Sequence, residues 1–218
     1  MDFRNIEPTD YSFLLELDKK VYPTLKPVNA KIISGWYRKN PEFGMIAETG
    51  GKIVGVMLAI PLNKKGWTTL TTGKLSESET DEQTLFNNKR DKEIGIHVYH
   101  IENLDKETRK FYLTALEKLK KLLLNLRKTN KELKVIGFSG LCVTNEGIGL
   151  FEEKLGCHEK KFKSEEYILE KKGIKSVFEL KTKKDLTAKT EKEYSLITRC
   201  KMLVATPKDK SIVWRFFE

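Results

Sequence analysis

Long apolar runs are missing from this chain. None of its segments approaches the roughly 20 consecutive apolar residues that cross a bilayer. The opening decapeptide MDFRNIEPTD lacks the charged-then-apolar pattern of a secretory signal. A cytoplasmic protein with no membrane partner is therefore expected. Cysteine is scarce as well. Cys142, Cys157 and Cys200 are odd in number and widely spaced, which excludes a disulfide framework and any CxxC motif. Cys142 and Cys157 fall on apolar positions and read as buried free thiols. Histidine is limited to His97, His100 and His158. None has a partner at metal-ligand spacing, so no metal is expected.

What is abundant is charge. The 218 residues carry 41 Lys+Arg against 31 Asp+Glu, a formal net of +10. Hydrophobic residues make up 39% and charged residues 33%, a globular but polar composition rather than a disordered one. The excess is local: residues 105–131 hold nine basic and three acidic side chains, a net of +6. A basic surface attracts anions, either nucleic acid or a phosphorylated cofactor. Lysine dominates it with few interleaved aromatics or arginines, so nucleic acid is the less favoured partner.

Along the chain, residues 3–6 read as a short strand, and Thr9 or Asp10 as the cap of a helix that Pro23 ends. Asn29 caps a second helix through Tyr37. Thr49-Gly50-Gly51 between two apolar runs signals a hairpin, because both glycines accept positive φ. Residues 52–61, KIVGVMLAIP, predict a strand buried on both faces. Residues 67–72 predict a further strand from their Trp and Thr content. Residues 73–92 have no period and read as a long loop near a substrate entrance or a mobile surface loop. Residues 93–101, EIGIHVYHI, predict a strand with Ile94, Ile96, Val98 and His100 on one face and Gly95, His97 and Tyr99 on the other. A helix over 106–127 follows, with its leucines at helical spacing.

Residues 134–157, KVIGFSGLCVTNEGIGLFEEKLGC, form the unit the chain is organised around. They read as a buried strand, a helix capped by Thr144 or Asn145, and a left-handed stop at Gly156. Residues 166–170 predict the next strand. The tail then predicts strands at 176–181 and 195–198, and a pair at 201–205 and 211–217 across 206–210. An Asn-opened helix ending Leu-Gly after such a strand resembles the last strand–helix unit of the GNAT superfamily, the acyl-CoA-dependent N-acyltransferases. The hairpin AETGGKIVGVMLAI and the order β-α-α-β-β-β-α-β-α-β are similar to that family too. The resemblance implies an α+β fold in which a mixed, mostly antiparallel central sheet is flanked by helices. It covers a domain over residues 1–172 and leaves 173–218 as a β-rich extension, which adds strands, covers an edge or forms a homodimer contact.

The same resemblance implies acetyl-CoA as co-substrate, lying between the strand at 93–101 and the strand at 134–143. Its pantetheine would meet Ile96, Val98 and Tyr99. Its pyrophosphate would meet the next helix N-terminus with Lys106, Arg109 and Lys110, and Asn145 of the last helix would face the slot. A helix N-terminus is an anion site on its own physics. Two family features are absent: the loop 102–109, ENLDKETR, has no glycine, and Glu152 stands four residues before Gly156 where many members have a tyrosine. Candidate bases at the strand end are His97, His100 and Glu102, since an imidazole suits proton removal near neutral pH. The implied function is acetyl transfer to a primary amine by direct attack in a ternary complex. The alternatives are a GNAT-like binding module without catalysis and a nucleic-acid-associated basic protein.

Overall fold

The computed structural model describes residues 1–22, 27–105, 111–161, 165–172, 174–180, 193–194 and 196–217. A seven-stranded sheet forms the centre: β1 (Asp2–Asn5), β2 (Gly44–Thr49), β3 (Lys52–Leu62), β4 (Glu93–Asn103), β5 (Lys134–Cys142), β10 (Lys201–Ala205) and β6 (His158–Glu159), side by side in that order. Every pairing is antiparallel except β4 with β5. The fold is the expected mixed α+β sheet flanked by helices.

Local chemistry explains the elements. Gly50 and Gly51 turn the β2–β3 hairpin at φ 58° and 76°, a conformation that favours glycine. β3 is buried from Val54 to Leu62, as its unbroken apolar run requires. Helix α2 (Ala30–Tyr37) is capped by the Asn29 side chain, which accepts from the Ile32 N–H at 3.1 Å. Helix α1 (Tyr11–Val21) and α2 lie on one face of the sheet, and α4 (Phe111–Thr129) on the other, where Phe111 fills the space over Gly55.

Residues 67–72 are helical rather than a strand. Asn63 accepts from the Gly66 N–H at 2.9 Å and opens α3 (Lys64–Thr71). The cap outweighs the weak strand preference of its threonines, and Trp67 and Leu70, at helical spacing, are buried. Trp67 lies flat on the sheet because Gly95 and Gly137 present no side chain: a Cβ at either would come within 2.2 Å and 2.0 Å of the indole. Nor is the stretch from 73 to 92 a bare loop. It contains a 3-10 turn (Glu77–Glu79), and it buries Leu85 and Phe86 against the main core.

The tail differs most from expectation. Strand β7 (Glu165–Lys171) does not join the main sheet. It pairs with β8 (Ile174–Leu180) and β9 (Leu196–Arg199) in a separate three-stranded sheet. The place beside β5 is taken by β10, with Lys201 opposite Cys142 and Ala205 opposite Phe138. Residues 211–217 do not pair with 201–205. They form a 3-10 turn (Ile212–Phe216) whose Val213 and Trp214 are buried, because the segment packs on the end of the last helix instead of extending a sheet. That last helix, α5 (Asn145–Gly149), is capped by Thr144 and continues as a π turn over Leu150–Lys154; Gly156 then stops it at φ 73°. Of the expected helix over 106–127, the part from Phe111 is α4, and residues 106–110 lie outside the described residues.

Candidate active site

Strands β4 and β5 are paired from Glu93/Lys134 to Val98/Gly140 and no further. Beyond that point each keeps its other neighbour. β4 stays on β3 as far as Asn103/Gly55, and β5 stays on β10 as far as Cys142/Lys201. The two strands therefore part at their C-terminal ends, and a cavity of about 440 Å³ opens in the fork. Val98, Gly140, Thr144, Gly147 and Phe151 line it towards α5; Val21, His100 and Glu102 line it towards α1.

A bulge sets which side chains point where. Leu58 pairs with His100 and Ala59 with Val98, so Tyr99 is an extra residue on β4. An extra residue reverses the alternation beyond it. Ile60, Leu58 and Val56 share one face of β3, and opposite them stand His97, His100 and Glu102. The expected split, with His100 on the face of Val98 and away from His97, is thereby corrected. All three candidate bases face α1.

They are not equivalent. His97 is fully buried and both ring nitrogens are engaged: Nδ1 lies 3.0 Å from Ser139 Oγ and Nε2 lies 2.7 Å from Glu77 Oε1. Ser139 Oγ also accepts from Trp67 Nε1 at 2.9 Å. An indole N–H only donates. Ser139 Oγ thus links the Trp67 indole to the His97 ring, and His97 links Ser139 to Glu77. His100 and Glu102 line the cavity, with Nε2 3.0 Å from Glu102 Oε2. His100 Nδ1 has no hydrogen-bond partner among the described residues.

Of the positions expected to meet the cofactor, Val98 and Tyr99 line the cavity. Ile96 sits below the fork, buried and opposite Phe138 in the closed ladder. Asn145 is exposed and outside the lining, with Thr144, Glu146 and Gly147 around the cavity instead. Lys106, Arg109 and Lys110 lie outside the described residues. Cys142 lines the cavity, and burial pushes its thiol well above its ordinary range; Cys157 and Cys200 are pushed up to about 12 by burial. Among the described residues no group of three or more His, Cys, Asp or Glu is arranged to hold a metal, and no helix is long and apolar enough to cross a membrane.

Sequence reasoning missed Asp18 and Glu77. Asp18, buried on α1, accepts a hydrogen bond from the Tyr99 hydroxyl. Burial raises its carboxyl above the usual range, and nearby Glu77 pushes the same way. Tyr99 is likewise pushed up, first by burial and then by Glu77 and Asp18, so its phenol stays protonated. The Tyr22 hydroxyl bonds to Glu166 on β7, which ties the small sheet to α1. Asp18 was hidden because an acid beside two lysines in LELDKK reads as the solvated side of a helix. Glu77 was hidden within a polar run.

The arrangement is that of the GNAT fold. No family model matches the sequence, and no curated protein matches it. Solved structures do match in shape. Naa20 from Chaetomium thermophilum in complex with a bisubstrate analogue superposes at TM-score 0.50 with 13% identity, over 96% of this chain and 88% of that one. The loading GNATL domain of CurA from Lyngbya majuscula gives 0.49 at 13% identity over 94% and 96%. Arabidopsis thaliana Naa50 in complex with the bisubstrate analogue CoA-Ac-MVNAL gives 0.48 at 12% identity over 94% and 97%. At such identities the likeness concerns the fold, and the reaction has to be argued from the site's own residues.

Proposed function

We propose that this protein is an N-acetyltransferase that moves an acetyl group from acetyl-CoA to a primary amine within a ternary complex. The observation that carries the reading is the fork between β4 and β5, with a cavity that joins α5 on one side of the sheet to His100 and Glu102 on the other. Acetyl-CoA suits such a slot: its pantetheine arm is narrow and amide-bearing, and the parted strand edges have no ladder partner across the fork beyond Val98 and Gly140. The thioester supplies the electrophilic carbonyl.

The chain's own groups divide the remaining work. Glu102 holds His100 with its hydrogen on Nε2, which leaves Nδ1 to take a proton from the attacking amine. Backbone N–H groups of β4 at the fork serve as donors to the developing oxyanion. Direct attack is favoured over an acyl-enzyme because the thiol lining the cavity, Cys142, is held protonated by burial and is a poor nucleophile. The Tyr99 phenol, kept protonated by burial, lines the cavity wall with its hydrogen directed at Asp18, so the proton for the leaving thiolate comes from solvent or from the protonated His100.

Calorimetric titration with acetyl-CoA, followed by free-thiol release with an amine panel, tests the proposal. Saturable binding and amine-dependent thiol release are expected. Absence of heat and of any thermal shift at millimolar acetyl-CoA would overturn it.

A further inference from the structure

The end of the sheet opposite the fork carries a different kind of surface. Four segments meet there: the start of α3 at Lys64 and Lys65, residues 88–93 at the entry to β4, the last turn of α4, and residues 130–134 at the entry to β5. Polar bonds hold them together. Asn130 Nδ2 donates to the Asp91 carbonyl at 2.9 Å and to the Asn88 carbonyl at 3.1 Å. Asn88 Nδ2 donates to Thr129 Oγ1 at 2.9 Å, and the Lys134 N–H donates to the Lys92 carbonyl at 2.9 Å. A shallow cleft of about 430 Å³ opens on this end, with Lys64, Lys65, Arg90 and Lys92 in its walls.

The charge here is lopsided. Lys64, Lys65, Lys89, Arg90, Lys92, Lys128, Lys131 and Lys134 are all exposed, and the acids among them are Asp91, Glu93 and Glu132. Each acid is already engaged: Asp91 by Arg90 at 2.9 Å, Glu93 by Lys64 at 3.0 Å, and Glu132 by Lys92. Lys65, Lys89, Lys128, Lys131 and Lys134 form no ion pair among the described residues, and Lys134 acts on Glu132 only at longer range. Elsewhere on α4 the cations are occupied within the fold. Lys118 lies over the Phe3 ring, Lys120 donates to the Arg215 carbonyl, and Arg127 donates to the carbonyls of Leu133 and Phe217.

Crowded like charges repel one another, and a polyanion relieves that repulsion. No aromatic residue occurs in residues 63–65, 88–93 or 128–134, so unpaired bases would find nothing to stack on. A double helix offers rows of phosphates instead, which lysines neutralise without reading sequence. We propose that this basic end is a docking surface for the phosphate backbone of a double-stranded nucleic acid. It lies five residues of β4 below the fork, about 17 Å at the rise of a strand. That exceeds the roughly 10 Å over which charge acts at 0.1 M salt. A bound duplex therefore leaves the cavity open, and the surface stands apart from the acyl-transfer reading.

Fluorescence anisotropy of the full chain with a labelled duplex of about 20 base pairs, between about 50 and 200 mM KCl, tests the proposal. Five phosphate contacts give an expected log–log salt slope of about −4.5, a loss of affinity of roughly 500-fold over that range. Lys128→Glu/Lys131→Glu/Lys134→Glu should weaken binding at least about tenfold and flatten the slope by about 3. Lys128→Gln/Lys131→Gln/Lys134→Gln should lose less, in the same direction. Lys20→Glu/Lys31→Glu/Lys52→Glu makes the same change in net charge at exposed positions elsewhere, and should bind within about threefold of wild type. Equal weakening by the two glutamate triples would overturn the proposal, because net charge alone would then account for binding. So would a slope shallower than about −2, or tighter binding of the corresponding single strand. Equal competition by polyglutamate would overturn it in favour of an acidic protein. The acetyl-CoA Kd should be the same in every variant, so loss of this surface leaves the transferase reading intact. Absence of acetyl-CoA binding likewise leaves the surface intact.

Discussion

The lower and upper halves of β4 are made of similar residues and do opposite things. Below Val98 the strand is paired on both sides, and His97 is sealed in with every polar atom of its ring satisfied. Above Val98 it has a partner on one side only, and His100 borders open space with one ring nitrogen unclaimed. Between the two imidazoles lies a bulge of one residue. The contrast teaches that a histidine's chemistry here is set by whether its strand is paired, and that a single extra residue aims both rings at the same side.

The largest expected break in this comparison is in the closed half. A Cβ at Gly137 would stand 2.0 Å from the Trp67 ring. Gly137→Ala should therefore cost about 3 kcal/mol, read from the urea unfolding midpoint. A loss below about 1 kcal/mol would mean that α3 does not rest on the sheet there.

Substitutions matched between the halves should separate stability from activity. Ser139→Ala leaves two buried nitrogens, Trp67 Nε1 and His97 Nδ1, without their partner and should cost about 1–3 kcal/mol. His100→Gln should change stability by less than about 1 kcal/mol yet slow amine acetylation by about 100-fold. Equal loss of stability in both variants would erase the distinction between a sealed and an open histidine.

The smallest effects concern the two buried aspartates of the N-terminal region. Asp10 is held below its usual range first by its hydrogen bonds with Arg4, at 2.7 and 2.9 Å, and also by the Glu7 N–H. Its contribution to stability is present above 3.8, the unfolded reference, and disappears as pH falls through the lower folded value. Asp18 is shifted the other way by burial, so its contribution is present below 3.8 and is lost as pH rises through the raised folded value. Thermal melts from pH 3 to 7 should show Asp10→Asn less stable than wild type at neutrality and Asp18→Asn more stable. Both gaps should narrow towards pH 3. A shared sign would contradict the opposite environments of the two carboxylates.

Much of the scaffold could be read from residue patterns, because it depends on local signals. Gly-Gly turned a hairpin, an unbroken apolar run became a central strand, Asn29 capped α2 and Gly156 stopped the last helix. Errors arose where distant contacts decide. Trp67 sits in a helix capped by Asn63, and two glycines far along the chain leave the floor on which its ring rests. Residues 211–217 became a turn because Trp214 and Phe217 pack on one another and Phe217 on Phe138. At the site, His100 and Glu102 were identifiable as strand-end groups. Their common face with His97 was not, since a bulge has no signature in EIGIHVYHI. Glu77 could not be found because its partner His97 is 20 residues away.

The position of β10 has a consequence for synthesis on the ribosome. β5 forms the inner wall of the fork, yet its outer edge is covered only by Lys201–Ala205, which emerge long after β5 itself. Throughout that interval the nascent chain carries β5 paired to β4 on one edge and open on the other, an invitation to aggregation. Polypeptides released before residue 201 are therefore expected to need chaperone protection, even though every side chain that lines the cavity has already been made.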